Sequence, residues 1–189
     1  TPAGADKRSQ DLLDAYKALH ELKQQGKVQS IGVGSKDWRI IEQITRDVEL
    51  DWVMIANSMT VHRHPHELIV FMEHLRDKGI AIINSAVFNA GFLIGADYYN
   101  YKLMDTEAHS RLYQWRQAFF KLCEKYQLKP AEVCMAFGLK APGVSSVAVS
   151  TTNPKRVKEN IEMANKVIPA GFWDAMKGQG LISRSYHYL

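Results

Sequence analysis

A chain of 189 residues, 46% hydrophobic and 23% charged, has the balance of a globular domain able to bury its own core, which excludes disordered and fibrous classes. No apolar run approaches the roughly 18 to 20 residues that a membrane span needs, and no basic, apolar and small-residue leader opens the chain. A net charge of +4 with a pI near 9.0 suits an anionic ligand, but Lys and Arg are spread along the chain, which argues against nucleic acid as a partner.

From the amino end, Leu12, Leu13, Tyr16, Leu19 and Leu22 repeat at helical spacing. This predicts a helix over residues 9–25, with Ser9 as its N-cap and Gly26 beyond its end. Residues 28–35 (VQSIGVGS) read as a buried strand, 38–45 as a short helix and 52–59 (WVMIANSM) as a second strand. Pro65 opens a helix over residues 65–78 that Gly79 closes, and 80–86 (IAIINSA) form a third strand. Residues 87–105 show no clean period and form a long loop rich in Gly, Asn and Tyr. Loops of that length in folded domains usually carry function. Helices follow over 106–126 and 130–140, then a fourth strand over 145–150 (SSVAVS). Asn153 caps a further helix with Pro154 at its first position, and a last helix covers 172–177.

One helix followed by four β-α units, with strands this apolar, implies parallel strands buried on both faces and an α/β class. Two architectures fit: half of a (β/α)8 barrel, whose whole needs about 250 residues, or a small doubly wound open sheet. The pattern alone does not separate them.

Several groups could carry chemistry. The segment VAVSTTNPKRVKEN runs from a strand through a polar turn into a helix start, where free amides, the hydroxyls of Ser150, Thr151 and Thr152 and the cations Lys155, Arg156 and Lys158 suit a phosphate. An ordinary capped helix with solvated cations would look the same. The glycines of VFNAGFLIG permit close approach of backbone to a ligand. Asn57 and Asn84 interrupt apolar strands, and buried amides need partners. His62, His64 and His66 alternate before and after Pro65, yet no Cys and no carboxylate except Glu67 completes a metal set, so no metal is expected. Cys123 and Cys134 lack metal-type spacing and read as reduced thiols, so a reducing, cytoplasmic compartment is the expectation. No dinucleotide-fold glycine fingerprint, phosphate-loop motif or nucleophile elbow is present.

From about Leu12 to Ser183 the chain resembles the aldo-keto reductases. The segment GKVQSIGVGSKDW is similar to that family's fifth strand and DKGIAIINSAVFNAGFLIG to its seventh strand and cofactor loop. PGVSSVAVSTTNPKRVKENIEMAN is similar to its eighth strand and adenosine-binding helix. FNAGFL, YYNYK and VIPAGFWDAMKGQGLI resemble the branch that contains D-threo-aldose, L-fucose and pyridoxal dehydrogenases. The resemblance implies a TIM barrel of which residues 1–189 are a single partial domain, the C-terminal half. It also implies NAD or NADP as cofactor, and oxidation of a sugar hemiacetal, or reduction of a small aldehyde, by the whole protein. The family's catalytic Asp, Tyr, Lys and His lie on its first four strands, so no catalytic residue is assigned here. A missing N-terminal half or a second copy of the chain is the expected partner. The alternative is a module that binds NAD(P) without turnover.

Residue by residue, the resemblance puts Ser35 (with Lys36) and Asn57 at the nicotinamide carboxamide, although the family's amide is absent at Ser35. Ser85 stands where many members stack a Tyr. Phe88, Asn89, Ala90, Gly91 and Leu93 match the pyrophosphate loop. Arg156 and Asn160, with Glu159 beside them, match the adenosine contacts. Ser150 replaces the Lys common in NADPH-preferring members, and Thr151 follows it.

Overall fold

The computed structural model describes residues 2–189, with side chains from Gln10 onward. Four parallel strands form one sheet: β1 (Gly32–Ser35), β2 (Trp52–Ala56), β3 (Ala81–Ser85) and β6 (Val144–Ala148). Their order across the sheet, β1-β2-β3-β6, is their order along the chain. A doubly wound sheet reverses direction at a switch point. This one never does, which removes that alternative and leaves a singly wound α/β sheet. Right-handed crossovers between parallel strands then carry the connecting helices to a single face.

Side-chain alternation agrees. Val53, Ile55, Ile82 and Asn84 are buried against helices, while Trp52, Met54, Ala56, Ala81, Ile83 and Ser85 on the opposite face are only half-buried. Over the buried face lie α2 (Trp38–Asp47), α3 (His66–Asp77) and α5 (Pro130–Lys140), which contribute Ile41, Leu68, Met72, Leu75, Val133 and Phe137. Each such burial contributes roughly 1.5–3 kcal/mol. Gly138 of α5 allows the closest approach: a Cβ there would lie 2.8 Å from Val87 Cγ1. The remaining helices are α1 (Pro2–Gln24), whose Tyr16 hydroxyl donates to Gly32 O of β1 at 3.1 Å, α4 (Ser110–Lys125), α6 (Lys155–Ala164) and α7 (Ala170–Gly178).

Several boundaries differ from expectation for local reasons. The first helix begins at Pro2, so Ser9 lies inside α1 and is not its N-cap. Strand β1 starts at Gly32 rather than 28, because its one neighbour begins at Trp52 and the pairing extends only to a bond from Asp51 N to Ile31 O. Strand β2 stops at Ala56, because Asn57 turns into the left-handed region at φ 58°. Helix α4 starts at Ser110, because Asp105 Oδ1 accepts from the amides of Glu107 and Ala108 and holds a turn there. The long loop is not structureless: it holds a 3₁₀ turn (Phe92–Ile94) and a hairpin of β4 (Tyr98–Tyr99) with β5 (Lys102–Leu103). The two central hairpin residues, Asn100 at φ 51° and Tyr101 at φ 64°, supply the positive φ pair that tight hairpins demand.

Candidate functional site

All four parallel strands deliver their carboxyl ends to one edge, where polar residues gather. Ser35 ends β1, Asn57 follows β2, Ser85 ends β3 and Ser150 follows β6. Register holds these exits level, with Ala56 paired to Ser85 and Ser85 to Ala148. Ser35 is committed locally, since its Oγ accepts from Asp37 N at 3.0 Å while Asp37 caps α2. The neighbouring Lys36 carbonyl accepts from Ser58 Oγ at 2.9 Å, and the Lys36 ammonium lies 5.3 Å from the centre of the Tyr101 ring.

Three asparagines form the centre. Asn57 is 4% exposed and its Nδ2 donates to Asn100 Oδ1 at 3.2 Å. Asn89 is buried and its Oδ1 accepts from Asn100 N at 2.6 Å. The hairpin tip is thereby fastened to the exits of β2 and β3. Asn57 N also donates to Ser85 O. The Asn57 Oδ1 is buried with no hydrogen-bond partner, a state that costs about 1–3 kcal/mol and needs an explanation.

The loop residues divide. Gly91 takes φ 90°, and Ala90 and Asn89 are also left-handed, so the backbone coils tightly between β3 and the 3₁₀ turn. Phe88 is half-buried and its carbonyl accepts from the amides of Gly91 and Leu93. Leu93 is fully buried in the core. At the fourth exit, Ser150 is exposed and Thr151 Oγ1 accepts from Asn153 N at 3.1 Å. The Asn153 side chain accepts from Lys155 N at 3.1 Å, so it bonds the first turn although α6 starts at Lys155 and Pro154 stands at the cap position, not at the first helical one. Arg156 and Glu159 are exposed, whereas Asn160 sits with Val149, Thr151, Val157 and Ile161 around a groove of about 300 Å³. The site is therefore two clusters, one on the β2 and β3 exits and one at the start of α6.

Asn100, Tyr99 and Tyr101 are members that residue-level reading missed. Their signal is an Asn followed by a large residue at a two-residue turn, which is weak because Tyr seldom adopts positive φ. Asn84 ties loop to helix: its Nδ2 donates to Met59 O at 3.0 Å and to Gly138 O at 3.3 Å, while its Oδ1, like that of Asn57, is buried without a partner. The histidines diverge. His62 Nδ1 lies 2.9 Å from Tyr99 Oη, His64 turns toward Thr60 and the chain end, and His66 is exposed. Burial pushes His62 down to about 4 and pushes the Tyr99 hydroxyl up. Among the described residues no three His, Cys, Asp or Glu side chains converge as a metal site. Nor does any described helix have the length and apolarity to cross a membrane.

The aldo/keto reductase family model matches residues 5–179. Pyridoxal 4-dehydrogenase of Microbacterium luteolum is 26% identical over 168 residues, which cover 89% of this chain and 49% of that protein. D-threo-aldose 1-dehydrogenase of Pseudomonas sp is 27% identical over 176 residues, or 90% of this chain and 52% of that one. The chain thus spans about half the length of the curated relatives it matches. A holo-form aldo-keto reductase structure from Bacillus halodurans superposes with a TM-score of 0.66 at 19% identity, covering 91% of this chain and 56% of that one. With a singly wound parallel sheet, polar strand exits and a family match over nearly its whole length, the chain belongs to the aldo/keto reductase family.

Proposed function

We propose that residues 1–189 form the C-terminal, cofactor-binding half of a (β/α)8 barrel, in a protein that couples NAD or NADP to the oxidation of an aldose or a small aldehyde. The observation that carries this is the buried, partnerless Oδ1 of Asn57 at a strand exit, an acceptor placed where a nicotinamide carboxamide could donate. The cationic start of α6, with Lys155 and Arg156, suits the phosphates at the other end of such a ligand. The donor set therefore fits a dinucleotide at both ends.

Each residue then has a task. Asn57 orients the nicotinamide ring, and Asn100 holds the Asn57 amide so that its oxygen stays free. Ser35 and Ser85 border the ring, with no aromatic at Ser85 to stack on it. Phe88, Asn89, Ala90 and Gly91 coil beneath the pyrophosphate. Ser150, Thr151, Arg156, Glu159 and Asn160 receive the adenosine end. A bound dinucleotide supplies the hydride acceptor or donor. Proton transfer belongs to the other half of the barrel, which is the chain's partner in this reading. The half-buried face with Trp52, Met54 and Ile83 would then line the barrel interior.

The test is titration of the full-length protein with NADH and NADPH, followed by fluorescence, and NAD(P) reduction with a panel of aldoses and aldehydes. Asn57→Gly keeps the positive φ but removes the amide together with its bond to Asn100, so it should weaken dinucleotide binding by at least about tenfold, the worth of one hydrogen bond. Binding without turnover would favour a non-catalytic nucleotide-binding module. No binding at millimolar dinucleotide would overturn the proposal.

A further inference from the structure

The last nine residues fold back across the molecule and are held at three points. Trp115 Nε1 donates to Leu181 O at 3.0 Å, Ser183 N donates to His64 Nε2 at 3.3 Å, and the Tyr188 hydroxyl donates to Glu73. Tyr186, buried, stacks on Phe137 with ring centres 4.9 Å apart. Between this tail and the loop after β2 lies a cavity of about 570 Å³, bordered by His64, Ile69, Ser183 and Tyr186 among others.

The middle point is the informative one. His64 Nδ1 lies 3.2 Å from Thr60 O, and a carbonyl can only accept, so Nδ1 carries the proton. Ser183 N can only donate, so Nε2 must be bare. Both bonds exist together in one state of the ring, the neutral Nδ1–H tautomer. We infer that His64 is a proton-operated latch for the C-terminal tail: a proton gained at Nε2 sets N–H against N–H, breaks the bond to Ser183 and frees the tail from the β2 exit loop.

The surroundings support closure by the neutral ring. Phe137 and Tyr186 lie 5.1 and 5.2 Å from the His64 ring centre, and their burial of the imidazole pushes its pKa down. Charged or titratable neighbours on the loop are His62, Arg63 and His66. The α3 helix contributes Glu73, which Tyr188 engages, and the tail contributes Arg184, Tyr186, His187 and Tyr188. The groups that α4 and α5 place here, Trp115 and Phe137, carry no charge. Among the described residues no carboxylate hydrogen-bonds to His64 to offset a gained proton. Since the released ring titrates near 6.5 and the latched ring lower, the latch is closed above about pH 6.5 and opens as pH falls below it.

The test is amide hydrogen exchange of the full polypeptide at pH 7.5 and 5.5, corrected for intrinsic exchange. Protection of the Ser183 amide should drop in the wild type, by up to about tenfold, since one proton supplies at most one decade for each pH unit. His64→Gln presents an acceptor that does not titrate, and it should hold protection level across that range. His66→Gln, an exposed neighbour, should behave as the wild type. Protection in β2 and β3 reports that each variant is folded. Independently of any variant, imidazole nitrogen shifts of the wild type at pH 7.5 should show His64 as the Nδ1–H tautomer. An Nε2–H tautomer, a pH-independent Ser183 amide, or an undiminished drop in folded His64→Gln would each overturn the latch.

Discussion

Asn84→Ala probes the tie that binds β3 to the loop after β2 and to α5. The amide is fully buried, and its Nδ2 donates to Met59 O at 3.0 Å and to Gly138 O at 3.3 Å. Truncation removes two hydrogen bonds worth about 1 kcal/mol each and leaves buried carbonyls without a donor, at about 1–3 kcal/mol. One bond is long, and the residue's own Oδ1 is already unpaired, so removing that oxygen recovers part of the cost. The net expectation is a loss of about 2–3 kcal/mol. Asn84→Asp should lose more, because a carboxylate of the same shape sets an acceptor against two carbonyl oxygens. Urea unfolding measures both, read from the midpoint with the slope unchanged. A loss below about 0.5 kcal/mol for the Ala variant, or an Asp variant as stable as the wild type, would show that the tie contributes nothing.

Acid stability should depend on His62. Its folded pKa of about 4 lies below its ordinary 6.5, so the stability it confers is complete above about pH 6.5 and is lost as pH falls toward 4. At 1.36 kcal/mol per pH unit, that loss is about 3 kcal/mol. His62→Gln should flatten that part of the urea midpoint's fall between pH 7 and 4.5; an unchanged slope would contradict the burial argument. The thiols should be inert in the native protein, since Cys123 is pushed up to about 12 by burial and Cys134 is pushed up further and is 1% exposed. A chromogenic disulfide reagent should report no reactive thiol until denaturant is added and then two. A thiol that reacts at once in native buffer would refute this.

The alternation of apolar strands and helices was legible because both faces of a parallel strand must be covered, so 52–56 stands out as a continuous apolar run and 80–83 as a shorter one. What the pattern could not convey was sheet order. A doubly wound sheet and a singly wound one use the same β-α units, and only pairing of β1 with β2, β2 with β3 and β3 with β6 distinguishes them. The hairpin at 98–103 was invisible for another reason. Its strands are two residues each, too short for any period to register, and it is fixed by Asn100 reaching Asn57, 43 positions away.

Asn57 and Asn84 make the same point about sites. Both interrupt apolar strand sequences, and nothing local distinguishes them. Asn84 lies within β3 on the helix-covered face and ties elements together. Asn57 lies one residue past β2, where the backbone has turned left-handed; a partnerless amide oxygen is common to both residues, so position and backbone are what separate them. Of the seven described non-glycine residues with positive φ, six (Asn57, Ala86, Asn89, Ala90, Asn100 and Tyr101) lie at the β2 and β3 exits or on the hairpin tip that Asn100 fastens to them. Each such conformation costs about 1–2 kcal/mol in a residue without Asn-type local bonding, as at Ala86, Ala90 and Tyr101. A fold retains that much strain in one place only where the surrounding contacts enforce it. Here they do so through the Asn57, Asn89 and Asn100 bonds. The bond from Asn57 Nδ2 to Asn100 also fixes the Asn57 amide at the β2 exit, with its oxygen buried and without a partner.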